Sequence, residues 1–190
     1  MKRITLIRHG KTAGNLEKRY IGITDEPLCA EGVEELSTKE YPDTDIVFSS
    51  PLFRCIETAA LIYKDKDIYA IQELRETDFG RFENKNYQEL SEDEDYKAWI
   101  ASGGAMPFPG GESKEEANKR TMVGFNKLLE RSGDYENVTA VVHGGTIMAI
   151  LSELFKGDYY SYHVENGEGY TFEVSSDGLY SGLCARSFNR

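Results

Sequence analysis

The sequence predicts an α/β fold: a three-layer sandwich with a mostly parallel central sheet, helices on both faces and an antiparallel edge near the C-terminus. Short β-branched apolar runs alternate with helical patterns along most of the chain, the order expected when helices cover a parallel sheet. After Gly157 the pattern changes to short alternating segments suited to antiparallel strands. In addition, two of the apolar runs stop abruptly at a His-Gly step, which puts polar, reactive side chains at strand ends.

The elements follow in order. Residues 4–7, Ile-Thr-Leu-Ile, are short, β-branched and bounded by Arg8-His9-Gly10, a buried strand by pattern. Residues 45–48 form the next strand; Ser49-Ser50-Pro51 then opens a helix over 52–63, with proline where the first turn tolerates it. Residues 68–71 are a third strand. Residues 87–100 are polar and helical in pattern, with the acidic run 92–95 on a solvated face. A Gly/Pro loop spans 102–111, and a further helix spans 113–131. Val138-Thr139-Ala140-Val141-Val142 is the second strand to end in His-Gly, at His143-Gly144, and a helix over 147–155 follows. Residues 160–164, 170–174 and 179–185 are the expected antiparallel strands. There is no internal repeat or linker, and 190 residues with 39% apolar and 12% aromatic content fit a single domain over 1–190.

A formal net charge of −11 disfavours nucleic acid and anionic membranes as partners, because both are held by cationic surfaces. An anionic substrate must therefore find local positive charge. Cys29, Cys55 and Cys184 stand far apart without a C-x-x-C pair, which argues against a disulfide framework or a cysteine zinc site and fits a reducing cytoplasm. The apolar run at 4–7 is too short for a signal peptide, and no run is long enough to span a membrane.

Arg8-His9-Gly10 at one strand end, Arg54 on the helix after Ser50-Pro51, and His143-Gly144 at another strand end converge where ligands of open α/β sheets bind. Two guanidiniums offer forked donors to phosphate oxygens, and a helix N-terminus adds backbone N–H groups. In such a pocket a neutral His9 can attack phosphorus, its other ring nitrogen held by a carbonyl that Gly10 brings close. A protonated His143 would join the arginines in neutralising the phosphoryl oxygens. Glu76, just after the third strand, is placed to protonate the leaving oxygen.

The motifs Leu6-Ile7-Arg8-His9-Gly10, Asn15, Ser49-Ser50-Pro51-Leu52-Phe53-Arg54, Leu74-Arg75-Glu76 with Gly80, and Val142-His143-Gly144-Gly145 resemble the histidine phosphatase superfamily, the phosphoglycerate-mutase-like proteins. The resemblance implies that His9 is phosphorylated, that Arg8, Arg54, His143 and Asn15 bind the phosphoryl group, and that Glu76 is the proton donor. It extends through residues 20–28 and Pro109-Gly110-Gly111-Glu112-Ser113. Within the superfamily the sequence looks most like small bacterial phosphatases, including those acting on α-ribazole 5′-phosphate in cobalamin assembly. Lys11 stands where Glu or Gln is usual, and Arg81-Phe82-Glu83-Asn84 replaces a more familiar Trp-Glu-Gly ending; both departures are expected to bear on substrate choice. The stretch from Glu76 to His143 is shorter than the mutases of the family require, which favours transfer to water over a phosphoglycerate mutase.

The expected substrate is therefore a small phosphorylated metabolite, with no cofactor needed and no oligomeric state implied. Tyr20, Ile21 and Phe79 with the 102–111 loop are expected to line the mouth, where aromatic faces would hold a nucleoside-like group. Thr24 and Gly144 complete the expected substrate-binding set. Two rival readings remain: a metallohydrolase using His9, His143 and Glu76, which lacks a local ligand motif such as H-E-x-x-H, and a non-catalytic phosphate-binding protein of the same fold.

Overall fold

In the computed structural model, which describes residues 1–189, apolar side chains alternate along the strands and feed two cores on opposite faces of one sheet. The chain order is β1 (Lys2–Arg8), α1 (Ala13–Leu16), α2 (Ala30–Ser37), β2 (Ile46–Ser49), α3 (Phe53–Ile62), β3 (Ile68–Ala70), α4 (Glu94–Ala101), α5 (Lys114–Arg131), β4 (Asn137–Val142), α6 (Gly144–Phe155), β5 (Gly169–Val174) and β6 (Tyr180–Arg186). The sheet runs β3-β2-β4-β1-β5-β6. Its first four members are parallel, and β5 and β6 are antiparallel. The expected mixed sheet with a C-terminal antiparallel edge is thus observed.

Ile4 and Leu6 of β1, with Val138, Ala140 and Val142 of β4, face the core beneath α5 and α6. Ile7 and Val141 face the other way, onto Cys55, Ala59 and Tyr63 at α3. This period-2 sorting is what a sheet covered on both faces needs. A third, aromatic cluster of Phe82, Leu90 and Tyr96, flanked by Tyr20, Phe79, Trp99 and Phe108, lies apart from the sheet cores.

Helix starts follow their caps. Ser113 and Glu116 form a reciprocal capping box that starts α5 where the helix over 113–131 was expected. The helix expected over 87–100 begins only at Glu94, because the Asp93 carboxylate takes the N–H groups of Asp95 and Tyr96. Residues 160–164 are not a strand. Asp158 accepts from Tyr160 N and winds Tyr159–Tyr162 into a turn of 3₁₀ helix. Helices α1 and α2 lacked a sequence prediction: the first is only 4 residues long, and the second is capped by the Sγ of Cys29. Among the described residues no helix is long and apolar enough to cross a membrane.

Candidate active site

The register of β1 against β4 sets the site. Arg8 pairs with Val142, so the next residues, His9 and His143, leave the sheet side by side. His9 N donates to Val142 O at 3.0 Å, and Ser50 N donates to Val141 O at 3.0 Å, which brings the end of β2 to the same place. The His9 and His143 ring centroids lie 5.2 Å apart.

The tautomer of His9 follows from its neighbours. Arg54 Nε is 3.2 Å from His9 Nε2, and an arginine can only donate, so Nε2 carries the lone pair. The proton therefore sits on Nδ1, which donates to Gly10 O at 2.7 Å. Burial, then the charges of Arg54 and Arg8, hold the imidazole well below its ordinary pKa of 6.5. Its neutral form is thus favoured with the lone pair toward the pocket, as the sequence predicts. Burial first, then Arg54, hold His143 well below 6.5 as well, so without a bound phosphoryl group its neutral form is favoured. Its Nε2 is 2.7 Å from Ser50 Oγ, with Cys55 Sγ packed at 3.5 Å.

Arg54 is fully buried at 0% exposure. Its guanidinium donates to Thr24 O at 2.9 Å, Gly22 O at 2.7 Å and Ile21 O at 3.3 Å. The 21–24 loop is in turn fixed by Glu83, which accepts from the backbone N of Gly22, Ile23 and Thr24, from Phe79 N, and from Thr24 Oγ1 at 2.5 Å. A Cβ at Gly22 would stand 2.0 Å from Thr77 O, so only glycine fits there.

Arg8 Nη1 donates to Val164 O at 2.7 Å, while its Nε is buried without a protein partner. A donor left unpaired at the edge of a pocket is the kind of group a bound anion satisfies. Asn15 Oδ1 accepts from Thr12 N and from Asn166 Nδ2, both at 3.2 Å. Asn166 also donates to His9 O at 3.0 Å.

Glu76 is buried at 8% exposure. Its carboxylate accepts from Thr77 N at 2.8 Å and from Gly145 N, in the first turn of α6, at 3.1 Å. A Cβ on Gly145 would stand 2.3 Å from Glu76 Oε1, so the acid reaches the helix end only because residue 145 is glycine. A cavity of about 230 Å³ opens from Glu76 and Gly145, walled by Tyr20, Phe79, Trp99, Phe108, Tyr159 and Tyr160. Among the described residues no three His, Cys, Asp or Glu side chains gather as a metal would require.

Residues 4–181 match the family model of the histidine phosphatase superfamily, branch 1. The chain belongs to this superfamily. An adenosylcobalamin/α-ribazole phosphatase of Escherichia coli is 29% identical over 80% of this chain and 78% of its own. A 2,3-bisphosphoglycerate-dependent phosphoglycerate mutase of Gloeobacter violaceus is 30% identical over 95% and 90%. Among solved structures, a phosphoserine phosphatase of Entamoeba histolytica in complex with 3-phosphoglyceric acid superposes with a TM-score of 0.79 at 27% identity, covering 100% of this chain and 98% of that one. The superfamily thus unites relatives named for different substrates on one fold.

Within this histidine phosphatase framework the structure revises several sequence expectations. Ile21 is buried at 7% exposure, and what it offers the site is its carbonyl, since its side chain packs over Gly14. The Thr24 hydroxyl is committed to Glu83 rather than open to substrate. Lys11 points away to Glu31 and Glu35, at 2.7 and 2.5 Å, and ties the His9 loop to α2. At Gly144 a Cβ would lie 3.5 Å from Arg8 Nε, which sets this residue beside that guanidinium. Tyr20 and Phe79 line the cavity as expected, and from the 102–111 loop Phe108 and Gly104 do so. Sequence reasoning missed Asn166, Glu83, and the Arg120–Glu112 pair that braces the backbone at Glu76. For Glu83 a signal existed, since it sits within the departure noted after Gly80. A lone arginine or asparagine carries none.

Proposed function

We propose that this histidine phosphatase hydrolyses a small phosphomonoester through a phosphohistidine at His9. The observation that supports this most directly is the Nε2 lone pair of a neutral His9, held in orientation by Gly10 O and set against Arg54. Attack by Nε2 forms the N–P bond as the ester P–O bond breaks, and Glu76 gives its proton to the departing alkoxide. Water then attacks the phosphohistidine, Glu76 takes the water's proton, and phosphate leaves.

Arg8 and Arg54 neutralise the equatorial oxygens, with Asn15 and the N–H of Gly144 as further donors. His143 is neutral in the free pocket. A dianionic phosphoryl group 5 Å or so from it would favour protonation, so His143 gains its charge with the substrate. Glu83 and Thr24 act behind Arg54, and Ile21 contributes only its carbonyl.

Tyr20 and Phe79 would take the apolar part of the leaving group. An α-ribazole-like ester suits the aromatic wall, as the name of the E. coli relative suggests, and the free thiols Cys29, Cys55 and Cys184 fit action in the cytoplasm on a small metabolite.

The test uses wild-type protein and His9→Ala with p-nitrophenyl phosphate, α-ribazole phosphate, phosphoserine and the phosphoglycerates, each with and without EDTA. Chelator-resistant phosphate release that is lost in His9→Ala is the expected result. Interconversion of 2- and 3-phosphoglycerate without net phosphate release would establish the mutase instead.

A further inference from the structure

The Asn15 carboxamide has one end that accepts and one that donates, and only the NH2 end can serve an anion. Resting on the reading above that Asn15 helps to bind the phosphoryl group, we infer that Asn166 is a positioning residue. It locks Asn15 with the oxygen turned to the protein and Nδ2 left for a phosphoryl oxygen.

The orientation follows from partners that have no choice of role. Carbonyl oxygens only accept, so the end of Asn166 lying 3.0 Å from His9 O and 3.4 Å from Gly10 O is Nδ2. One N–H of that group is shared between the two carbonyls. The other reaches Asn15 at 3.2 Å and needs an acceptor there, which is Oδ1. The Thr12 backbone N–H, which only donates, meets the same Oδ1 at 3.2 Å. Two donors therefore converge on Oδ1, while Asn15 Nδ2 donates to no protein atom among the described residues.

Helix capping alone does not account for Asn166. Thr12 and Asn15 form the capping box of α1, a helix of 4 residues, and a capping box needs only an acceptor at its third position. Glu116 fills that role at α5 without any help from a distant side chain. Asn166 adds its donor from 151 residues along the chain and is itself buried at 9% exposure. Its neighbours are clamped to the turn that carries His9: Arg8 Nη1 donates to Val164 O at 2.7 Å, Arg8 N to Glu168 O at 2.8 Å, and Gly167 N to Arg8 O at 3.0 Å. Asn166 thus shares a frame with His9 and aligns the Asn15 donor before an anion arrives, the preorganisation on which phosphoryl transfer draws. A flipped Asn15 would set its NH2 against the N–H groups of Thr12 and Asn166 and its oxygen against the anion.

The experiment titrates inorganic phosphate into isotope-labelled wild type, Asn15→Ala, Asn166→Ala and the double variant, reading Kd and the side-chain carboxamide signals by NMR. Asn15→Ala should weaken binding roughly tenfold or more, the scale of a hydrogen bond to a charged group, and Asn166→Ala several-fold. In the Asn15→Ala background the further loss from Asn166→Ala should shrink to about threefold or less, because a residue that acts through another is not additive with it. In wild type the Asn15 NH2 signals should move with phosphate, and those of Asn166 should move less. An undiminished loss from Asn166→Ala in the Asn15→Ala background, no loss from it in the wild-type background, or Asn166 signals that move more than those of Asn15 overturns the inference while leaving the role of Asn15 intact. If Asn166→Ala does not fold, the wild-type signals decide. Failure of wild type to bind phosphate, or Asn15→Ala binding it as tightly as wild type, overturns the underlying reading and the inference with it.

Discussion

Arg120 clasps Glu112 through two parallel hydrogen bonds, Nε to Oε1 and Nη2 to Oε2, both 2.7 Å. The same guanidinium donates to Glu73 O at 2.9 Å, Arg75 O at 2.8 Å and Glu76 O at 3.3 Å, so it fixes the backbone that carries the proposed acid. Arg120→Met should lower kcat/KM by ~10–100-fold on alkyl phosphates, part of what a general acid supplies. With p-nitrophenyl phosphate, whose leaving group needs no proton, the loss should be smaller. Arg120→Lys should not restore the bidentate grip. The leaving-group dependence of kcat/KM across a series of esters checks this.

Gly145→Ala separates site from fold. The added methyl would meet a carboxylate that can swing aside, and alanine in a helix is intrinsically better by roughly 0.5–1 kcal/mol. The variant should melt within a few degrees of wild type yet lose ~10²-fold or more in activity toward alkyl phosphates. Paired thermal melts and kinetics decide it. A fully active Gly145→Ala would remove Glu76 from the mechanism.

Glu83 accepts from four backbone N–H groups and one hydroxyl, and so holds the loop whose carbonyls anchor Arg54. Glu83→Ala leaves those donors unsatisfied, at a cost of about 1–3 kcal/mol for each one that stays buried. The expected outcome is a lower melting temperature together with weaker inhibition by inorganic phosphate. Glu83→Gln should retain part of both.

The two neutral histidines give the protein an acid liability. Each has a folded-state pKa depressed below the unfolded value near 6.5. The unfolded chain therefore binds more protons as pH falls below ~6.5, and stability declines in that direction, beginning at 6.5 and continuing toward the folded pKa. Melting temperature should drop between pH 7.5 and 5.5, and less steeply in His143→Asn. The histidine limb of kcat/KM should stay flat through pH 6.5, because His9 in the free enzyme remains unprotonated there. An inflection near 6.5 that does not move with the phosphate pKa of the ester, and so belongs to the enzyme, would contradict a buried, neutral His9.

The fold and the convergence of the candidate site residues were legible because their signals are local. Apolar runs ending in Arg-His-Gly and His-Gly mark strand ends by composition alone, and the parallel register then brings them together. The braces were not legible. Glu83 meets the 21–24 loop across some sixty residues, and Arg120 reaches Glu76 across 44, and no periodicity encodes such pairings. Thr24 and Ile21 were placed at the mouth because their segment lies there. Which atom of each residue serves the site depends on Arg54 and Glu83. The missing strand at 160–164 has a similar cause: alternating tyrosines look extended until the Asp158 side chain bends them.

Strand β1, which delivers Arg8 and His9, lies between β4 and β5: Ile4 pairs with Val138 on one side and Phe172 on the other. Both neighbours are made long after it on the ribosome. The strand that carries His9 must therefore wait, unpaired and apolar, until most of the polypeptide has emerged, a long-range closure of the kind that slows folding. Nascent chains stalled before residue 169 should lack a phosphate site, and this first strand is where a holdase chaperone would have the most to cover.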